Sequence, residues 1–87
     1  MLPIQDLLHR IRWDPEFGKG RFEIAYLDKV ADRLKRVPFE AVRFEPGERF
    51  GFEVIGLHGE EQFIPFHRVR EVYRDGILIW RRLAPTG

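Results

Sequence analysis

The sequence predicts an α+β fold: one N-terminal helix packed on a small, strongly curved or barrel-like, mainly antiparallel sheet of about five or six strands. Three observations lead there. Ile4, Leu7, Leu8 and Ile11 fall at helical spacing near the start. After residue 20, short apolar runs alternate with polar residues and are separated by Gly, Pro and Asp turn signals. The 87 residues carry eight Phe, two Trp and two Tyr, enough for one core, so residues 1–87 read as a single domain.

The elements follow in order. Residues 3–12 read as an amphipathic helix, with Pro3 suited to its first position and Asp14-Pro15 ending it. Gly18-Lys19-Gly20 is a loop. Phe22, Ile24 and Tyr26 alternate with Glu23 and Ala25, which predicts a strand from Arg21 to about Asp28. Residues 29–36 fit either a long hairpin loop or a short helix. Pro38, which lacks a donor, belongs at a strand end or edge. A tight turn through Phe39 to Ala41 leads into a strand beginning Val42-Arg43-Phe44. Glu45-Pro46-Gly47-Glu48 is a turn. Phe50, Phe52 and Val54 alternate with Gly51 and Glu53 as a further strand, and Phe22, Phe39, Phe50 and Phe52 are assigned to the core. Gly56-Leu57-His58-Gly59 turns again, and Gln62-Phe63-Ile64 is a strand. Val69–Arg74 and Ile77–Arg82 form a hairpin about Asp75-Gly76. The tail, residues 83–87, is expected to fray.

One frame occurs twice, as Val37-Pro38-Phe39-Glu40-Ala41-Val42-Arg43 and Ile64-Pro65-Phe66-His67-Arg68-Val69-Arg70. The shared aliphatic-Pro-Phe-x-x-Val-Arg pattern predicts one backbone turn built twice. The free positions differ, Glu40-Ala41 against His67-Arg68, and that contrast points to function in the second copy.

Charge is uneven along the chain. Residues 1–36 carry eight Lys/Arg against six Asp/Glu, residues 37–66 two against six, and residues 67–87 five against two, for a formal net charge of +1. A basic C-terminal unit beside an acidic middle suits a local anionic ligand better than a long nucleic-acid groove; a mixed solvated surface is the alternative. If Asp75-Gly76 is a two-residue turn, Arg70 faces Arg81. Like charges directly opposite destabilise a strand pair unless an anion lies between them or both splay into solvent. A three-residue loop would instead set Arg70 against Trp80, a cation–π contact. His67 can donate to a phosphate or cap its own turn. Trp13, Tyr26, Phe66 and Trp80 are candidates for stacking on bases, against the alternative of core packing. His9 and His58 read as ordinary surface.

Other chemistries find little support. Three scattered histidines and no cysteine offer no ligand pair at zinc spacing, and no cofactor is expected. The chain lacks serine, and its single threonine is Thr86, which excludes nucleophilic triads and two-motif His-x-Thr/Ser phosphoesterases. General acid–base cleavage by His67 with a carboxylate such as Asp14 or Asp28 stays open. No apolar run approaches the roughly 20 residues of a membrane span, and Met1–Leu8 does not resemble a signal peptide. A cytoplasmic location is expected.

Arg12-Trp13-Asp14, Tyr26-Leu27-Asp28-Lys29, Val37-Pro38-Phe39, Ile64-Pro65-Phe66-His67-Arg68-Val69-Arg70-Glu71-Val72 and Gly76 to Trp80-Arg81-Arg82 occur in this order. In this the chain resembles the RNA cyclic-group end-recognition domain family of small archaeal and bacterial proteins, over almost its whole length. The resemblance implies a binding module for processed RNA 3′ ends, including 2′,3′-cyclic phosphates, that works alone or beside RNA-processing and RNA-repair enzymes. It implies His67, Arg68, Arg70, Trp80 and Arg82 as ligand residues, with Tyr26 and Asp14 in support; Arg81 joins the expected phosphate-binding set, and Trp13 and Lys29 the supporting one. Lys29 stands where arginine is expected, and Arg81 where a smaller or acidic residue is usual. A binding module is favoured over an enzyme. The alternatives are a protein-interaction domain and, behind it, a small RNA-end phosphoesterase.

Overall fold

The computed structural model describes residues 3–82. Helix α1 (Ile4–Trp13) is followed by β1 (Phe22–Asp28), β2 (Arg33–Pro38), a 3-10 turn (Phe39–Ala41), β3 (Val42–Arg43), β4 (Gly51–Ile55), β5 (Glu61–Pro65), a second 3-10 turn (Phe66–Arg68), β6 (Val69–Arg74) and β7 (Ile77–Arg81). The expected α+β class holds. The expected fraying tail, residues 83–87, lies outside the described residues.

The strand count and the barrel-like sheet are corrected. Among the described residues, seven strands form two antiparallel sheets, β2-β1-β6-β7 and β3-β4-β5, and no barrel closes. The seventh strand is β2, in the stretch readable as loop or helix. It is an edge strand with five of its six residues exposed, so burial imposes no alternation on its sequence. Pairing holds it instead, from Glu23↔Pro38 to Asp28↔Arg33. The Asp28 carboxylate starts the return by accepting the N–H groups of Val30 (2.9 Å) and Ala31 (3.2 Å). Lys35 Nζ lies 2.8 Å from the same carboxylate and Arg36 pairs with Glu23 at 2.8 Å.

The two Pro-Phe units explain why there are two sheets. In each, proline is extended (φ −69°, ψ 151° at Pro38; φ −62°, ψ 145° at Pro65) and three residues of 3-10 turn follow. In each, the valine N–H closes the turn on the phenylalanine carbonyl. Proline cannot donate to a ladder, so the chain leaves one sheet there and enters the other: β2 to β3 by the first turn, β5 to β6 by the second. The repeated frame is thus a repeated crossover.

The core lies between these sheets and α1. Ile4, Leu7, Leu8 and Ile11 from the helix meet Phe22, Ile24, Tyr26, Val69, Val72 and Trp80 of one sheet and Phe52, Val54 and Ile64 of the other. A file of rings, Phe17, Phe22, Phe39, Phe44, Phe52 and Phe66, joins neighbours at 5.8–6.4 Å between centroids and links the two turns. Phe50, expected in the core, is 74% exposed. The strand starts one residue later, at Gly51, whose backbone is packed so closely that a Cβ there would lie 2.2 Å from the Ile64 carbonyl oxygen. Phe50 turns outward, its N–H held by Glu48 at 2.8 Å.

Candidate functional site

The site is built by two irregularities of the β6 strand pairs. The Asp75-Gly76 turn has both central residues at positive φ (51° and 82°), as a two-residue hairpin turn of this twist requires. Arg74↔Ile77 and Tyr73↔Leu78 follow the expected register. Then Ile79 is an extra residue, and Val72 pairs with Trp80 and Glu71 with Arg81. On the other side of β6, Ala25 pairs with Glu71 but Tyr26 with Val69, so Arg70 is itself the extra residue against β1.

These bulges correct two expectations. Arg70 does not face Arg81, nor Trp80 by the three-residue alternative. It faces Arg82, whose N–H donates to the Arg70 carbonyl at 2.8 Å. The like-charge juxtaposition therefore exists with a different partner. The Ile79 bulge also turns Trp80 inward beside Val72. At 7% exposed and packed in the core, the Trp80 ring is not offered to a base.

Both guanidinium groups close over the Phe66–Arg68 turn. Arg82 donates from Nε to the Val69 carbonyl (2.9 Å) and from Nη2 to the Phe66 carbonyl (3.1 Å), and Arg70 Nη1 donates to the His67 carbonyl. The carbonyl end of a helical turn favours cations. Arg82 also stands 5.3 Å from the Trp80 ring centroid. Burial lowers the Arg82 pKa, and the neighbouring Arg70 charge lowers it further. The His67 residue is exposed, and Arg68 is half-buried with its Nε enclosed and without a partner. Among the described residues, Arg68, Arg70, Arg81 and Arg82 form no ion pair.

The first Pro-Phe unit is the internal comparison. Its Arg43, equivalent to Arg70, lies 3.0 Å from Glu45, 3.2 Å from Glu53 and 2.7 Å from Glu61. Hydrogen bonding to Arg43 holds Glu53 below the usual carboxylate range. Three of the six glutamates in the acidic middle of the sequence thus pair with one arginine, while the arginines of the C-terminal unit form no ion pair among the described residues.

The remaining candidates stand apart. Arg81 is exposed and, one residue from Arg82 on the strand, points to the opposite face. Asp14 terminates α1, accepting the N–H groups of Glu16 (3.0 Å) and Phe17 (3.2 Å). Tyr26 is buried behind the site opposite Val69, and burial raises its pKa. Lys29 is exposed in the β1–β2 turn. Trp13 is 61% exposed and lines a groove of about 260 Å³ between α1, the Phe44–Glu48 segment and the Phe66 ring. Sequence reasoning did not assign this groove; the Arg12-Trp13 pair beside the helix end was its one visible sign. Among the described residues, no group of three or more His, Cys, Asp or Glu side chains is placed to hold a metal ion, and no helix is long and apolar enough to cross a membrane.

Comparison with known proteins adds the following. A family model described as MJ1316 RNA cyclic group end recognition domain matches residues 1–82. The UPF0248 protein SSO2687 of Saccharolobus solfataricus is 31% identical over 84 residues, covering 93% of this chain and 98% of that protein. No solved structure matches.

Proposed function

The chain belongs to the MJ1316 RNA cyclic group end recognition domain family, and from that premise we propose that it is a non-catalytic module that binds the phosphate-bearing 3′ ends of processed RNA. Arg70 and Arg82 are the phosphate ligands, with His67 and Arg68 at the mouth of the site. The observation that carries the reading is the contrast between the two Pro-Phe units. Arg43 is paired with three glutamates, whereas Arg70 faces a second arginine and forms no ion pair among the described residues. Two arginines held side by side on a rigid turn suit the planar, bidentate capture of a phosphate. A 2′,3′-cyclic phosphate carries one negative charge on two free oxygens, one for each guanidinium.

The test is a titration with short RNAs of one sequence ending in 2′,3′-cyclic phosphate, 3′-phosphate or hydroxyl. Binding of the phosphate-bearing ends and weak binding of the hydroxyl end is the expected result. Equally negligible binding of all three removes the proposal.

A second reading, a protein-interaction domain, is favoured by one observation. Ile77, Leu78 and Ile79 are successive exposed apolar residues on β7, an edge strand of the four-stranded sheet among the described residues. An RNA-processing enzyme recovered with the protein after nuclease treatment, and lost on Leu78→Lys, is its expected signature.

A further inference from the structure

The groove beside α1 adjoins the arginine pair through a single residue. The Phe66 ring lines the groove, and the Phe66 carbonyl accepts the Arg82 hydrogen bond. Its aromatic wall is Trp13, exposed at the last position of the helix. The Arg12 guanidinium stands 4.8 Å from the Trp13 ring centroid and 5.0 Å from that of Phe44, a flat cationic group between two rings. The groove is also lined by two carboxylate residues, Glu45 and Glu48. The two carboxylates are not equivalent. Glu45 is paired with Arg43 at 3.0 Å. Glu48 accepts only a backbone N–H, that of Phe50 at 2.8 Å, and no cation balances it among the described residues.

We infer that this groove is a base subsite that prefers guanine, filled by the last nucleotide of the RNA whose phosphate the arginine pair holds. The inference rests on the RNA-end reading above and adds the base to it. Stacking on Trp13 accepts any base, since every base has a π-face. The preference comes from hydrogen bonding. Guanine alone presents two adjacent N–H donors, N1–H and N2–H, on its Watson–Crick edge, which match the two oxygens of one carboxylate. It also carries O6 and N7, the acceptors arginine pairs with best. Glu48 and Arg12, which both line the groove, supply the two kinds of partner. Uracil offers one N–H flanked by two carbonyls, and those carbonyls would face the Glu48 charge at a cost.

The experiment measures binding of the 2′,3′-cyclic monophosphates of guanosine, adenosine, cytidine and uridine to the full chain, by calorimetry and by the Trp13 indole N–H signal. Guanosine is expected to bind roughly fivefold or more tightly than uridine and to move the Trp13 signal. Glu48→Gln is expected to bring the four within about twofold of one another, because one carboxylate oxygen becomes a donor facing guanine donors. Trp13→Ala is expected to weaken all four by roughly fivefold or more. Arg70→Ala is expected to weaken all four while leaving their ranking intact. Equal affinities that neither Trp13→Ala nor Glu48→Gln alters overturn the base subsite and leave the phosphate reading standing. A guanosine preference that survives Glu48→Gln also overturns it. Failure of all four nucleotides, together with failure of every RNA end, removes both readings.

Discussion

Arg43 and Arg70 occupy the same position in two copies of one backbone turn, and their surroundings are opposite in charge. The difference predicts opposite mutational behaviour. Arg43→Ala leaves three glutamates facing one another without their cation, so it lowers stability and leaves phosphate binding unchanged. Arg70→Ala removes one bond to the His67 carbonyl but also relieves the repulsion with Arg82. Its stability is expected to stay within about 1 kcal/mol of wild type. Its affinity for a phosphate-bearing RNA end is expected to fall by about 1.5–3 kcal/mol, the worth of hydrogen bonds to a charged partner, roughly ten- to a hundredfold. Thermal melts and titrations of the two variants check both halves. An Arg70→Ala protein that binds as the wild type does would remove this arginine from the site. A binding residue that costs the unliganded fold something, or gives it nothing, is what a functional position is expected to look like.

At the level of elements, the β1–β2 hairpin depends on a single carboxylate. Asp28 is 3% exposed, caps the turn and pairs with Lys35. The Lys35 hydrogen bond and the Ala31 and Val30 N–H groups hold its pKa below its ordinary value of 3.8. The folded state therefore binds this proton less readily than the unfolded chain. Its stabilisation is complete above the unfolded value and disappears as pH falls through the folded one. Wild-type stability is expected to decline from roughly pH 5 downward, and Asp28→Asn, less stable at neutral pH, to decline less steeply over that range. Denaturant titrations at several pH values check it; parallel declines would show that Asp28 does not carry the effect. The same hairpin shows where the sequence was hard to read. β2 has no buried face, so nothing in Arg33–Pro38 alternates, and its strand character comes from its partner. Helix α1, by contrast, was legible because Ile4, Leu7, Leu8 and Ile11 are all buried. The β6–β7 hairpin was legible because Asp75-Gly76 demands its turn. The candidate arginines were legible as a cluster, but Arg82 rather than Arg81 faces Arg70. That exchange rests on the Ile79 bulge, set by the burial of Trp80 and not by any turn residue. The groove was legible least, since Trp13, Phe44, Glu48 and Phe66 come together only when α1, the β3–β4 connection and the second crossover converge.

Across the whole molecule, charge is distributed by sheet. Half of the acidic segment's glutamates gather around Arg43 on the three-stranded sheet, while arginines that form no ion pair among the described residues gather where the second crossover enters the four-stranded one. The net charge is only +1, so no broad positive field extends over the surface to hold a long backbone. The positive potential is local, and it is fixed by a rigid turn with rings of the aromatic file beneath it. An end-binding module and a groove-binding protein then differ in how salt affects them. Each phosphate neutralised on a single strand contributes a slope of about −0.7 to the plot of log affinity against log salt. A site that holds one terminal phosphate and touches the next is expected to give a slope of about −0.7 to −1.4, independent of RNA length beyond the first few nucleotides. A protein that tracks the backbone through many contacts gives a steeper slope that grows with length until its site is filled. Affinities measured for a dinucleotide and a decanucleotide, each ending in 2′,3′-cyclic phosphate, at several salt concentrations separate the two. Coincident shallow slopes are expected here. A slope that steepens on going to the decanucleotide would mean that the arginines outside the pair, Arg81 among them, hold RNA as well, and that recognition is not confined to the end.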